Sequence, residues 1–180
     1  MEAEELTALV RAGKRRPLWT PGPATQTVAY GRPEVERLLP HRDPFLFVDT
    51  ITAVDLEQGA IAGTRRIRPD DPIFVGHFPG NPIYPGVLQL ETMGQLGLCF
   101  SALVRGGHGA SIGPDARPID ARALKVQHAI FLGPALPGDE LTLLAKLVEG
   151  DTYGAIYAGQ LLKGDAVVCF AVMEAYLVEG

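Results

Sequence analysis

The hydrophobic pattern of this chain switches twice between strand and helix periods. FLFVDTITAV, from Phe45 to Val54, is rich in aromatic and β-branched residues, and GAIAGTRRI, from Gly59 to Ile67, follows the turn DLEQG. That pairing predicts a β-hairpin. Three further strands are expected near the end of the chain: ELTLLAKLV, GAIYAGQLL and AVVCFAVMEAYLV, separated by EGDTYG and KGD at hairpin spacing. Between the two groups, VLQLETMGQLGLCFSALV, from Val87 to Val104, is apolar on nearly every side. At about 1.5 Å per residue it would form a helix roughly 27 Å long, wrapped by other structure. One buried helix flanked by antiparallel strands predicts an α+β layer with the sheet curled round the helix.

The first third of the chain follows a different pattern. Residues 2–12 predict a short helix with Leu6, Leu9 and Val10 on one side, acids at its start and Arg11, Lys14, Arg15 and Arg16 at its end, as the helix dipole favours. PLWTPGPATQT, from Pro17 to Thr27, has prolines at 17, 21 and 23 and predicts a linker. Residues 1–32 are therefore expected to be an N-terminal extension without chemistry of its own, and residues 33–180 the domain proper. PEVERLLP, from Pro33 to Pro40, predicts a helix of one or two turns with proline at its first position.

Composition narrows the partners. At 180 residues, 47% hydrophobic and 21% charged, the chain suits one soluble globular domain. Its 21 acids against 16 Lys and Arg, net −5, argue against a general nucleic-acid binder, since a phosphate partner favours a basic surface. Cys99 and Cys169 lie in apolar segments without metal spacing, so buried free thiols and a reducing compartment are expected. The acids in MEAEELTALVRAGKRR are wrong for a secretory signal. Gln89, Glu91, Thr92, Gln95 and Ser101 interrupt the apolar stretch, so no membrane span is expected there and the protein reads as cytoplasmic.

Chemistry concentrates in VGHFPGNPIYPGVLQLETMGQLG, from Val75 to Gly97. Pro85-Gly86 marks a helix start, where the amides of Gly86 and Val87 would lie free and partly positive, suited to a developing oxyanion. Gly86 also lets a substrate approach the backbone. Glu91 stands four residues past Val87 on the same face, with its side chain leaning toward the helix start, and Gln95, one turn on, is placed to hold the carboxyl. Gly94 and Gly97 would leave room for another backbone. His77 sits in the stiff loop ahead, and its ordinary pKa suits proton abstraction near neutrality. A carboxyl desolvated in an apolar helix is expected to be protonated and ready to donate. A base, an acid and a polarising helix terminus are the parts that remove a proton beside a carbonyl and expel a β-hydroxyl, with no metal or organic cofactor needed.

GHFPGNPIYPGVLQLETMGQ, from Gly76 to Gln95, together with LLPHRDPFLFVDTI, from Leu38 to Ile51, and LPGDEL, from Leu136 to Leu141, resembles the FabZ-type 3-hydroxyacyl-acyl carrier protein dehydratases over about residues 33–178. The resemblance implies a hot-dog fold paired into a homodimer, with a trimer of dimers as a further assembly. It implies a carrier-protein-bound substrate and makes His77 and Glu91 a catalytic pair supplied from opposite subunits. His77 would take the C2 proton, protonated Glu91 would assist the C3 hydroxyl, and the Gly86 and Val87 amides would hold the thioester oxygen. A second division of labour stays open, in which His77 moves both protons and Glu91 positions water or the hydroxyl. Glutamate at 91 and Val87, where the isomerase branch resembles cysteine, favour the FabZ-like over the FabA-like type. Pro40, His41 and Phe78 are expected at the acyl tunnel by the same resemblance, with a loop-bracing role equally open for His41.

The chain departs from the family between Arg105 and His128, where a long Gly- and Pro-punctuated loop replaces a compact strand, and at Gly133, where Lys or Arg is common. Housekeeping fatty acid synthesis and a specialised polyketide or polyene pathway both remain open. Gly109-Ala-Ser-Ile-Gly113 with His108 matches the hydrolase pattern G-x-S-x-G, but that elbow needs a strand before it and a helix after it. Arg65, Arg66 and Arg68, with Arg122 and Lys125 beyond, are candidates for docking an acidic carrier, against the simpler reading as solvated charge. A hot-dog thioesterase and a non-catalytic partner subunit are the competing functions.

Overall fold

A computed structural model describes residues 2–178, in which seven strands form one antiparallel sheet around a long helix. In chain order these are helix α1 (Ala3–Gly13), strand β1 (Gln26–Tyr30), helix α2 (Arg32–Leu38), strands β2 (Thr50–Asp55) and β3 (Ala60–Arg66), helix α3 (Gly86–Gly106), then β4 (Ala121–Phe131), β5 (Glu140–Gly150), β6 (Gly154–Lys163) and β7 (Ala166–Leu177). The sheet order is β1-β2-β3-β5-β6-β7-β4, and each neighbouring pair is antiparallel. The α+β layer with a curled sheet is therefore realised.

α3 fills the concave face. Met93, Leu96, Cys99, Phe100 and Leu103 are buried among Ile51, Ile61, Leu143, Leu161, Cys169 and Ala171. Contact this close leaves no room for a side chain on the strand: a Cβ added at Gly159 of β6 would stand 2.7 Å from the Met93 Cβ. Gly97 does face a neighbour, but it is the Tyr157 ring rather than a backbone, and Gly94 faces open space within the protomer. By length and composition alone α3 is long and apolar enough to cross a membrane, but most of its apolar stretch is buried against the sheet, as in a core helix. Both cysteines are free and buried, and burial pushes the Cys169 thiol up to about 12 and that of Cys99 further still.

Three elements differ from expectation. The hairpin strand begins at Thr50 rather than Phe45; Leu46, Phe47 and Val48 are buried, but in an extended connection outside the sheet ladder. The linker expected over Pro17–Thr27 ends inside β1, which pairs with β2 at the sheet edge. The departing loop closes with β4, whose alternation is interrupted by two bulges against β7.

The other face of the sheet carries the N-terminal arm. Leu6, Leu9 and Val10 of α1 pack on Ala158, Phe170 and Val172, and Trp19 covers Ala53, Ala60, Ala62 and Leu144. Gln160, fully buried in β6, clamps the arm: its Nε2 donates to the carbonyls of Gly13 (2.6 Å) and Arg16 (2.9 Å), and its Oε1 accepts from Leu18 N–H (3.0 Å).

Candidate active site

The loop carrying His77 is pinned at both ends. Asp71 caps a short 3-10 turn, Pro72–Val75, by accepting from Ile73 N–H at 3.0 Å, and Tyr84 N–H reaches Ala135 O at 2.8 Å. Between them His77 O accepts from Ile83 N–H at 3.0 Å, and the ring Nδ1 lies 2.8 Å from Ile83 O. A carbonyl can only accept, so Nδ1 carries the hydrogen and Nε2 keeps its lone pair. Phe78 stacks on the imidazole with ring centroids 4.0 Å apart. A half-buried histidine is thus fixed in the tautomer that leaves Nε2 able to take a proton.

α3 starts at this loop. Its first backbone bonds run from Leu88 and Gln89 N–H to Pro85 O, so the amides of Gly86 and Val87 lie ahead of the ladder. Val87 is 72% exposed, and the Phe131 ring lies over Gly86, where an added Cβ would meet its carbons at 2.8 Å. The close approach expected of a substrate at Gly86 is made in the protomer by the Phe131 ring, which would have to shift to admit a side chain there.

Glu91 is held by two neighbours on one oxygen. Gln95 Nε2 donates to its Oε1 at 2.9 Å, and His41 Nε2 stands 3.4 Å from the same atom. Gln95 is itself fixed by the extended connection: Nε2 also donates to Phe45 O (2.9 Å), and Oε1 accepts from Phe47 N–H (2.8 Å). The hydrogen bond expected of Gln95 is present. His41 lies beside the acid, with its Nδ1 buried and unpartnered, and Pro40 is exposed next to it. Among the described residues no hydrogen bond or ion pair joins His77 to Glu91 within the protomer.

The arginine candidates separate. Arg65 is 3% exposed, reaching Asp49 (3.2 Å) and Leu46 O and lying over the Phe47 ring, so it offers nothing to a partner. It faces into the protein because strand alternation turns it away from Arg66. Arg66 and Arg68 are exposed, but Arg66 lies 3.8 Å from Glu140, and Arg68 lies near Asp70 and Asp43. Arg122 is paired with Asp120.

The G-x-S-x-G stretch lies in a loop with α3 before it and β4 after it, the reverse of a nucleophile elbow. Among the described residues no His, Cys, Asp and Glu cluster could hold a metal. Sequence reasoning missed two features of the site: Phe131 over Gly86, and His41 against Glu91. The alternation in ARALKVQHAIF was the available signal for the first. The second joins residues fifty apart and had none.

A family model described as a FabA-like domain matches residues 39–172. A relative from Symbiobacterium thermophilum, named 3-hydroxyacyl-(acyl-carrier-protein) dehydratase FabZ, is 36% identical over 77% of this chain and 94% of its own. One of the same name from Chlamydia trachomatis serovar L2 is 35% identical over 83% of this chain and 93% of its own. Among solved structures, the dehydratase heterocomplex ApeI:P from Xenorhabdus doucetiae superposes with a TM-score of 0.65 at 16% identity, over 81% of this chain and 91% of that one. At that identity the likeness establishes a shared fold.

Proposed function

This chain belongs to the FabA-like family, and we propose that it acts as a FabZ-type dehydratase, removing water from a 3-hydroxyacyl thioester on an acyl carrier protein to leave the 2-enoyl thioester. The observation that carries the reading is the 2.8 Å contact of His77 Nδ1 with Ile83 O, which leaves Nε2 as a base beside a helix terminus. Nε2 takes the C2 proton. The electron pair moves into the C1–C2 bond, and charge gathers on the thioester oxygen, where the Gly86 and Val87 amides favour it. When the C2–C3 double bond forms, the C3–O bond breaks and the leaving hydroxyl takes the proton of the Glu91 carboxylic acid, departing as water and leaving Glu91 ionised with the C2 proton on His77. Glu91 serves that departure through Oε2, since Oε1 already takes Gln95 and faces His41.

The same reading needs two subunits. His77 and Glu91 do not bond within one protomer, and β4 ends the sheet with an open edge on which Leu124 is 60% and Val126 51% exposed. An open edge of eleven residues carrying exposed Leu124 and Val126 is suited to pairing with another strand. Pairing two copies through β4 supports a homodimer in which each site takes its base from one subunit and its acid from the other.

A 3-hydroxyacyl thioester tests the reaction. The enoyl product is expected, and His77→Ala should lower its rate by about 10²–10⁴-fold. Release of free thiol would instead mark a thioesterase, and no product at all a non-catalytic subunit.

A further inference from the structure

We propose that the N-terminal arm is the docking platform for the acyl carrier protein, with an acidic face of the carrier seated on Arg11, Lys14, Arg15 and Arg16. The proposal rests on the dehydratase reading and names the surface that serves the same site.

The four cations fall within six residues of a chain whose net charge is −5. All four are exposed, and among the described residues none is in an ion pair. Their backbone is not loose. Gln160 bonds the carbonyls on either side of Lys14 and Arg15, and the Phe170 ring fills the space where a Cβ at Gly13 would stand, 2.2 Å from the nearest ring carbon. A charge cluster on clamped backbone gives a partner a fixed target at less ordering cost than one on a free tail. The shallow groove beside it is lined by Ala8, Ala12 and Thr7, with Glu4 as its one acid.

The cluster also lies at the correct end of the sheet. Gly13 rests on Phe170, Phe170 is in register with Ile130, and the next residue, Phe131, covers Gly86 at the start of α3. The cationic end of α1 and the site entrance therefore share one end of β4 and β7. Four of the arginines named above do not supply this charge: Arg65 is buried, and Arg66, Arg68 and Arg122 face acids; Leu132-Gly133 beside Phe131 carries none.

The test compares one acyl group on two carriers, using the full chain. With the 3-hydroxyacyl group on an acyl carrier protein, the variant R11E/K14E/R15E/R16E should raise KM about tenfold or more with kcat little changed. With the same group on N-acetylcysteamine, which has no protein to dock, wild type and variant should match, and that match also certifies that the variant is folded. If the reversal disturbs folding and both substrates fail, salt decides on the wild type: KM for the carrier substrate should climb between about 50 and 300 mM NaCl while that for N-acetylcysteamine stays flat. Equal carrier kinetics for variant and wild type, or a salt-independent KM, overturns the proposal. So does an arm that binds anionic phosphatidylglycerol vesicles or an oligonucleotide while the variant keeps wild-type carrier kinetics. Failure of the wild type to dehydrate either substrate would overturn the dehydratase reading instead.

Discussion

At the scale of single residues, the candidate site depends on how few alternatives each polar group has. Gln95 is 1% exposed and uses both ends of its amide: it holds Glu91 and ties α3 to the backbone of Phe45 and Phe47. Gln95→Leu should therefore do two things. It leaves the Phe47 N–H and Phe45 carbonyl without their partner, expected to cost about 2–4 kcal/mol in denaturant unfolding. It also frees Glu91 on one side, so kcat should fall more than KM changes. Stability near that of the wild type would mean that water replaces the amide. The spacing from Glu91 to Gln95 was legible as one helical turn, and the bond is present. The approach of His41 to Glu91 was not legible, because nothing local sets where the loop before β2 lands on α3.

Elements were legible where their hydrophobic period was undisturbed. The central helix and the last three strands lie where the pattern put them, because each buries one continuous apolar set. The pattern failed in three places for different reasons. Phe45–Val48 is as apolar as a strand, but its backbone groups go partly to Gln95 instead of a neighbouring strand. β1 follows a proline-rich run, and its edge position leaves it little apolar signal. β4 is long, yet two bulges break its alternation. The fit between elements has its own test. Gly159→Ala places a methyl 2.7 Å from the Met93 Cβ, between a strand and a helix that are both held at several points. Overpacking of this kind should cost about 1–3 kcal/mol, read from the urea midpoint. An unchanged midpoint would show that α3 can move away from β6.

The whole molecule decides whether the site is complete. One protomer holds His77 on its loop and Glu91 on α3 without joining them, and it leaves the β4 edge open. If two copies share each site, His77→Ala and Glu91→Ala subunits that are each inactive should regain activity on mixing. A random mixture should approach a quarter of wild-type activity, since half the dimers are mixed and each of these carries one intact site. Mixed dimers that form, as followed by native mass spectrometry, yet stay inactive would place both groups in one subunit. The arm belongs to this scale too: its sequence predicts a helix with a basic end, but only the folded sheet fixes that end against β7, on the face opposite α3.

By itself the sequence determined the elements whose burial repeats with a regular period, and the chemical groups of the candidate site, because a stiff loop, a helix start and an acid one turn inside it are all local. Tertiary structure alone decided which arginines are free, which neighbours hold Glu91, and that the arm is clamped to the sheet. Those outcomes depend on contacts between residues far apart in the chain, which no local period encodes.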